Sequence, residues 1–123
     1  MFLTGTKSAR NSVVGYDNTT KTVLSGNRGH GIWSAASNTL IHNTLVGLSA
    51  QYTAAANGGN GIQLTADAAY SCIGADSAFH ETIISGNALD GILIAAPFVT
   101  VLKCFVGVAI AHPGVTARTQ AVQ

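Results

Sequence analysis

Charge is scarce in this sequence: 9% of its 123 residues are Asp, Glu, Lys or Arg, and the formal net charge is +1. With no Lys/Arg run, it offers no electrostatic footprint for DNA, RNA or an anionic membrane surface, so neither nucleic acid nor membrane is expected as a partner. Long apolar runs are missing too. No stretch approaches the roughly eighteen apolar residues of a membrane-spanning helix. Cys72 and Cys104 are too few for a disulfide framework and lack C-x-x-C or Cys/His zinc spacing. They read as buried free thiols, with no metal and no cofactor expected. Met1 to Lys7 lack the basic start and apolar middle of a signal peptide, and Asn18-Thr19-Thr20 is a sequon that matters only in a secreted eukaryotic protein.

What is present is 47% hydrophobic content, enough for one core and too much for a disordered chain, together with fourteen glycines and many Asn, Ser and Thr residues. These fall into a repeat. Gly31-Ile32, Gly61-Ile62 and Gly91-Ile92 recur every thirty residues, and Asn27, Asn57 and Asn87 keep the same interval before them. Val23-Leu24-Ser25-Gly26-Asn27 returns sixty residues later as Ile83-Ile84-Ser85-Gly86-Asn87, and Leu45-Val46-Gly47 as Phe105-Val106-Gly107. Val13-Val14-Gly15 matches Cys72-Ile73-Gly74 at nearly that step, so the chain reads as two copies of a two-coil unit.

The apolar runs are three to five residues long and separated by Gly, Asn, Ser and Asp clusters, which suits strands and turns rather than helices. Ala50 to Ala56, the nearest thing to a helical segment, runs into Asn57-Gly58-Gly59-Asn60 and reads as a loop bulging from the second coil. Stacked at about 4.8 Å per coil, equivalent residues form columns. Phe2, Ile32, Ile62, Ile92 and Val122 are expected to form an inward apolar ladder, with Thr4, Ser34, Leu64 and Ile94 two positions on. Asn27, Asn57 and Asn87 are expected to form a structural ladder of amides bonded from coil to coil.

From Asn11 to about Gly107, segments such as Gly47 to Ile62 and Thr82 to Asn87 resemble the repeats of right-handed parallel β-helix proteins, the pectate-lyase-like superfamily. The resemblance implies an all-β, right-handed, single-stranded parallel β-helix of about four coils in one domain, residues 1–123, without evident terminal caps. It also implies an extracellular or cell-surface setting. It does not fix a function, since the superfamily holds polysaccharide lyases, hydrolases and epimerases beside adhesins, tailspikes and structural proteins.

Catalytic candidates are thin. Asp17 and Asp76 each follow a repeat glycine by two residues, with Ser49 expected on the rung between them, at a separation of about 10 Å, the outer range for an inverting glycosidase pair. His30, Asn60, Asp90 and Gln120 precede the unit boundaries, and His30 with Asp90 could move a proton, though a polar turn ladder is the simpler reading. His42, His80 and His112 show no metal-ligand spacing and read as surface or turn residues. Arg28, Lys103, Lys7, Arg10 and Lys21 could meet acidic sugars, but no acid cluster marks a calcium site. The outward column beside the ladder, Leu3, Trp33, Gln63 and Leu93, is unusually apolar and is the candidate binding or interface surface.

Four coils make a disc about 19 Å tall whose end strands carry unpaired backbone groups. No amphipathic cap is legible at either end, so the sequence points to a homo-oligomer or filament built through open coils, and low charge avoids repulsion within a stack. Polysaccharide binding or processing is the alternative, and a piece of a longer adhesin or tail fibre is a third.

Overall fold

The computed structural model describes residues 1–3, 13–15, 20–75 and 81–107. In them the chain forms strands of two or three residues: β1 (Phe2–Leu3), β2 (Val13–Val14), β3 (Thr22–Leu24), β4 (Ile32–Ser34), β5 (Leu40–Ile41), β6 (Thr44–Val46), β7 (Ile62–Leu64), β8 (Cys72–Ile73), β9 (Thr82–Ile84), β10 (Ile92–Ile94), β11 (Thr100–Val101) and β12 (Cys104–Val106). They pair in parallel into three four-stranded sheets, β1-β4-β7-β10 (sheet A), β2-β5-β8-β11 (sheet B) and β3-β6-β9-β12 (sheet C). Each circuit of the chain contributes one strand to every sheet, so the fold is an all-β parallel solenoid, with four stacked coils among the described residues.

Strands this short end because the backbone turns sharply at corners. Asn38, Tyr70 and Phe98, each two residues before a sheet-B strand, all have φ between 55° and 61°. At Gly15 the need for glycine is steric as well: with φ at 89°, a Cβ would lie 1.6 Å from the carbonyl oxygen of His42 on the next coil. Two coils on, Gly74 meets the carbonyl of Leu102 in the same way, at 1.8 Å.

The core runs along the axis. Ile32, Ile62 and Ile92 from sheet A, Val14, Ile41 and Ile73 from sheet B, and Val46 and Ile84 from sheet C form one buried cluster. Burying each isoleucine contributes about 2–3 kcal/mol relative to exposure. Columns fade toward the ends of the stack: Leu64 is fully buried but Ile94 only partly, and Ile73 is fully buried while Val101 is 37% exposed.

Register confirms the two-coil unit. Val23 pairs with Leu45, Leu45 with Ile83, and Ile83 with Phe105, so residues sixty apart occupy alternate rungs of one column. Carrying the thirty-residue phase back to the first strand fails by one residue, because Phe2 pairs with Trp33 and Leu3 with Ser34. Phe2 therefore leaves the Ile32 column, and Leu3 leaves the Trp33 column. The circuit from β1 to β4 is one residue longer than the thirty-residue circuits from β4 to β7 and from β7 to β10. Thr4, Gln120 and Val122 lie outside the described residues.

Candidate functional site

The corner leading into sheet A is the most regular part of the molecule. Asn27 Nδ2 donates to Asn57 Oδ1 at 2.9 Å, and Asn57 Nδ2 donates to Asn87 Oδ1 at 2.7 Å. The Asn57 amide also donates to the Leu24 carbonyl at 3.0 Å and accepts the Asn27 backbone N–H at 3.1 Å. Asn57 and Asn87 are wholly buried, so these bonds replace water that the amides have lost. Gly31 and Gly61 complete the corner: a Cβ on Gly61 would sit 2.5 Å from the Gly91 carbonyl oxygen and 2.7 Å from Asn87 Nδ2.

Beside this ladder runs a second column. His30 Nδ1 accepts the Asn60 backbone N–H at 2.8 Å, and Asn60 Oδ1 accepts the Asp90 N–H at 2.9 Å. Each side chain thus caps the backbone of the next coil. Accepting at Nδ1 places the His30 ring proton on Nε2. His30 and Asp90 share the column, with Asn60 between them. Asn60 Nδ2 also reaches Gln63 Oε1 at 3.0 Å, linking this column to the outward one. There Trp33, Gln63 and Leu93 stand in register, all half-buried.

Asp17 and Asp76 lie outside the described residues. Ser49 follows Gly47 and β6 of sheet C, whereas Gly15 and Gly74 follow sheet-B strands, so the three glycines do not form one column. The described carboxylates are scattered: Asp67 lies between β7 and β8, Glu81 before β9, and Asp90 before β10, one at each corner. No grouping of three His, Cys, Asp or Glu residues able to hold a metal occurs among the described residues. His42 does occupy a turn, between β5 and β6, but it is only 7% exposed there rather than on the surface.

No family model, curated protein or solved structure matches this chain.

Sheet C holds what the sequence reading passed over. Its outer column is Val23, Leu45, Ile83 and Phe105, and a loop folds over the middle of it, so that Leu48 and Tyr52 pack on Leu45 and Ile83. Leu45 and Ile83 are buried, while Val23 at 37% and Phe105 at 47% remain exposed at either end. The signal was available: adjacent apolar pairs such as Val23-Leu24 and Ile83-Ile84 must put one side chain on each face of a strand.

Proposed function

We propose that this protein is a structural solenoid that stacks copies head to tail through its end coils, one copy's β10, β11 and β12 pairing with β1, β2 and β3 of the next. The observation that carries this reading is the alternation of coil outlines. In coils 1 and 3 the chain takes the longer path between sheets B and C, from Val14 to Thr22 and from Ile73 to Thr82. In coils 2 and 4 it crosses that corner in two residues, His42-Asn43 and Leu102-Lys103. At that corner coil 4 therefore repeats the outline that coil 2 offers coil 3, and coil 1 of a second copy matches coil 3. A copy added head to tail continues both the alternation and the apolar columns.

Backbone chemistry supports the same contact. Ile62 donates its N–H to Gly91, and Ala95 donates back to Leu64, so the N–H groups of Ile92 and Ile94 face the outer edge of sheet A. Ile94→Pro deletes one such donor without touching a backbone bond among the described residues. Sedimentation velocity across the micromolar range tests the reading: the unaltered protein forms assemblies that grow with concentration, and Ile94→Pro shifts the population to monomer. A monomer at every concentration contradicts it.

Carbohydrate binding is the second reading, favoured by one observation. Tyr70 and Phe98 stack at the corner into sheet B with ring centroids 5.0 Å apart and planes at 11°, and they are 62% and 72% exposed. Exposed aromatic faces suit the apolar faces of sugar rings. The stacked columns and short parallel strands also support grouping the chain with the pectate-lyase-like, right-handed β-helix superfamily, which accommodates either role.

A further inference from the structure

A hollow of about 280 Å³ opens on the outer face of sheet C, lined by Thr20, Lys21, Val23, Leu45, Ala50 and Tyr52. Val23 and Leu45 are neighbouring outward residues of β3 and β6. Ala50 and Tyr52 come from the loop after β6, whose shape is fixed before any ligand arrives. Leu48 bridges Ala54 in antiparallel fashion, Tyr52 N–H donates to the Ser49 carbonyl at 2.9 Å, and the Ser49 and Thr53 hydroxyls meet at 2.6 Å.

The remaining wall carries a cation. Lys21 Nζ donates to the Glu81 carbonyl at 2.6 Å and to Asn43 Oδ1 at 3.2 Å, two neutral oxygens that orient the ammonium, and the carboxylate charge of Glu81 acts on it as well. Burial pushes the Lys21 amine below its ordinary value, and the negative charge of Glu81 opposes that shift only in part. An apolar floor beside a partly desolvated, pre-positioned ammonium is a complementary surface for one chemical class.

We propose that this hollow binds a small hydrophobic monocarboxylate, its carboxylate against Lys21 and its ring or branched chain on Val23, Leu45 and Tyr52. The volume is near the lower end for ligand pockets, which fits a single-ring acid and not a chain of sugars. A ligand of that size binds with a dissociation constant on the order of 1 mM. The site is built from coils 1 and 2 of one copy, with Lys21 anchored on Glu81 of coil 3, so it stands whether or not copies stack.

Titration of the full chain with phenylacetate and with neutral phenylacetamide, followed by amide NMR, tests this. Phenylacetate is expected to shift the Ala50 and Tyr52 resonances in a saturable way, and phenylacetamide to bind about tenfold more weakly, since it lacks the charge that Lys21 recognises. Lys21→Gln, which keeps hydrogen-bond donors but removes the charge, is expected to lower phenylacetate affinity about tenfold. Val23→Trp, a second variant at an already exposed position, fills the hollow and abolishes the shifts while the Ile62 and Ile92 resonances stay in place. Equal binding of acid and amide, unchanged affinity in Lys21→Gln, shifts that survive Val23→Trp, or no shift with phenylacetate at tens of millimolar would each overturn the proposal.

Discussion

Sheets A and C belong to the same solenoid yet hold their strands in register by different means. From β4 to β7 to β10 the step along the chain is thirty residues each time, from Ile32 to Ile62 to Ile92. In sheet C the steps are 22, 38 and 22 residues, from Thr22 to Thr44, Leu45 to Ile83 and Ile83 to Phe105. The stretch from each ladder asparagine to its sheet A strand, Asn27 to Ile32, Asn57 to Ile62 and Asn87 to Ile92, keeps one length and contains a buried amide ladder and glycines pressed against neighbouring backbone. In coil 2 the surplus chain lies before that stretch, in the loop after β6 that folds over sheet C, where a longer loop costs little entropy. The constant step is the sum over a full circuit: coil 2 joins a short crossing from sheet B to C with a long connection from C to A, and coil 3 joins a long crossing with a short connection.

The sharpest way to break this contrast is to remove the middle asparagine. Asn57→Ala deletes an amide that joins both neighbours and strands the partners of its buried hydrogen bonds, and is expected to cost about 3–4 kcal/mol in chemical denaturation. Asn27→Ala at the exposed end of the ladder is expected to cost under about 1 kcal/mol. Equal losses at the two positions would remove the special status of the buried corner.

On the sheet C side, Leu48→Ala is expected to cost about 2–3 kcal/mol, because Leu48 is wholly buried under its own loop against Leu45 and Ile83. It should leave the strands of sheet A as protected from hydrogen exchange as before. Loss of protection at Ile32 and Ile62, whose N–H groups are bonded to Gly61 and Gly91, would show that the loop holds the coils together instead of covering one face.

How much of this could be read beforehand follows from the same contrast. The parallel solenoid, the sixty-residue unit and the Asn27, Asn57 and Asn87 interval were legible because the stretch from each ladder asparagine to its sheet A strand keeps one length and the circuits from β4 to β7 to β10 are equal. Phe2 was placed one residue out of register, and Ser49 was put at the wrong corner, because both inferences carried the thirty-residue phase to corners that do not keep it. The apolar outer column of sheet C and its Tyr52 cover were passed over, although paired apolar residues announced a strand with two buried faces. Lys21 stood out only as one of several cations able to meet acidic sugars, since its bonds to Asn43 and Glu81 depend on coils that meet only after winding.

A smaller effect concerns the thiols. Burial pushes the Cys72 and Cys104 thiols above the ordinary value of 9.0, and at Cys104 the neighbouring Cys72 adds to the rise. The folded protein then holds more protons than the unfolded chain from about pH 9 up to the folded values, so this contribution to stability is full below pH 9 and declines as pH rises through that window. Lys21, shifted down, acts in the opposite sense, its contribution growing as pH climbs toward 10.5. Replacing both cysteines by alanine is expected to reduce the alkaline loss seen in denaturation midpoints taken at successive pH values. A profile unchanged by that replacement would mean the thiols are no more shielded than in the unfolded chain.

Hydrogen–deuterium exchange at low and high protein concentration measures the end coils directly. Stacked copies should slow exchange at the Ile92 and Ile94 amides as concentration rises, while the inner Ile62 amide, already bonded to Gly91, stays constant. Exchange at Ile92 and Ile94 that ignores concentration would contradict assembly through the coil edges.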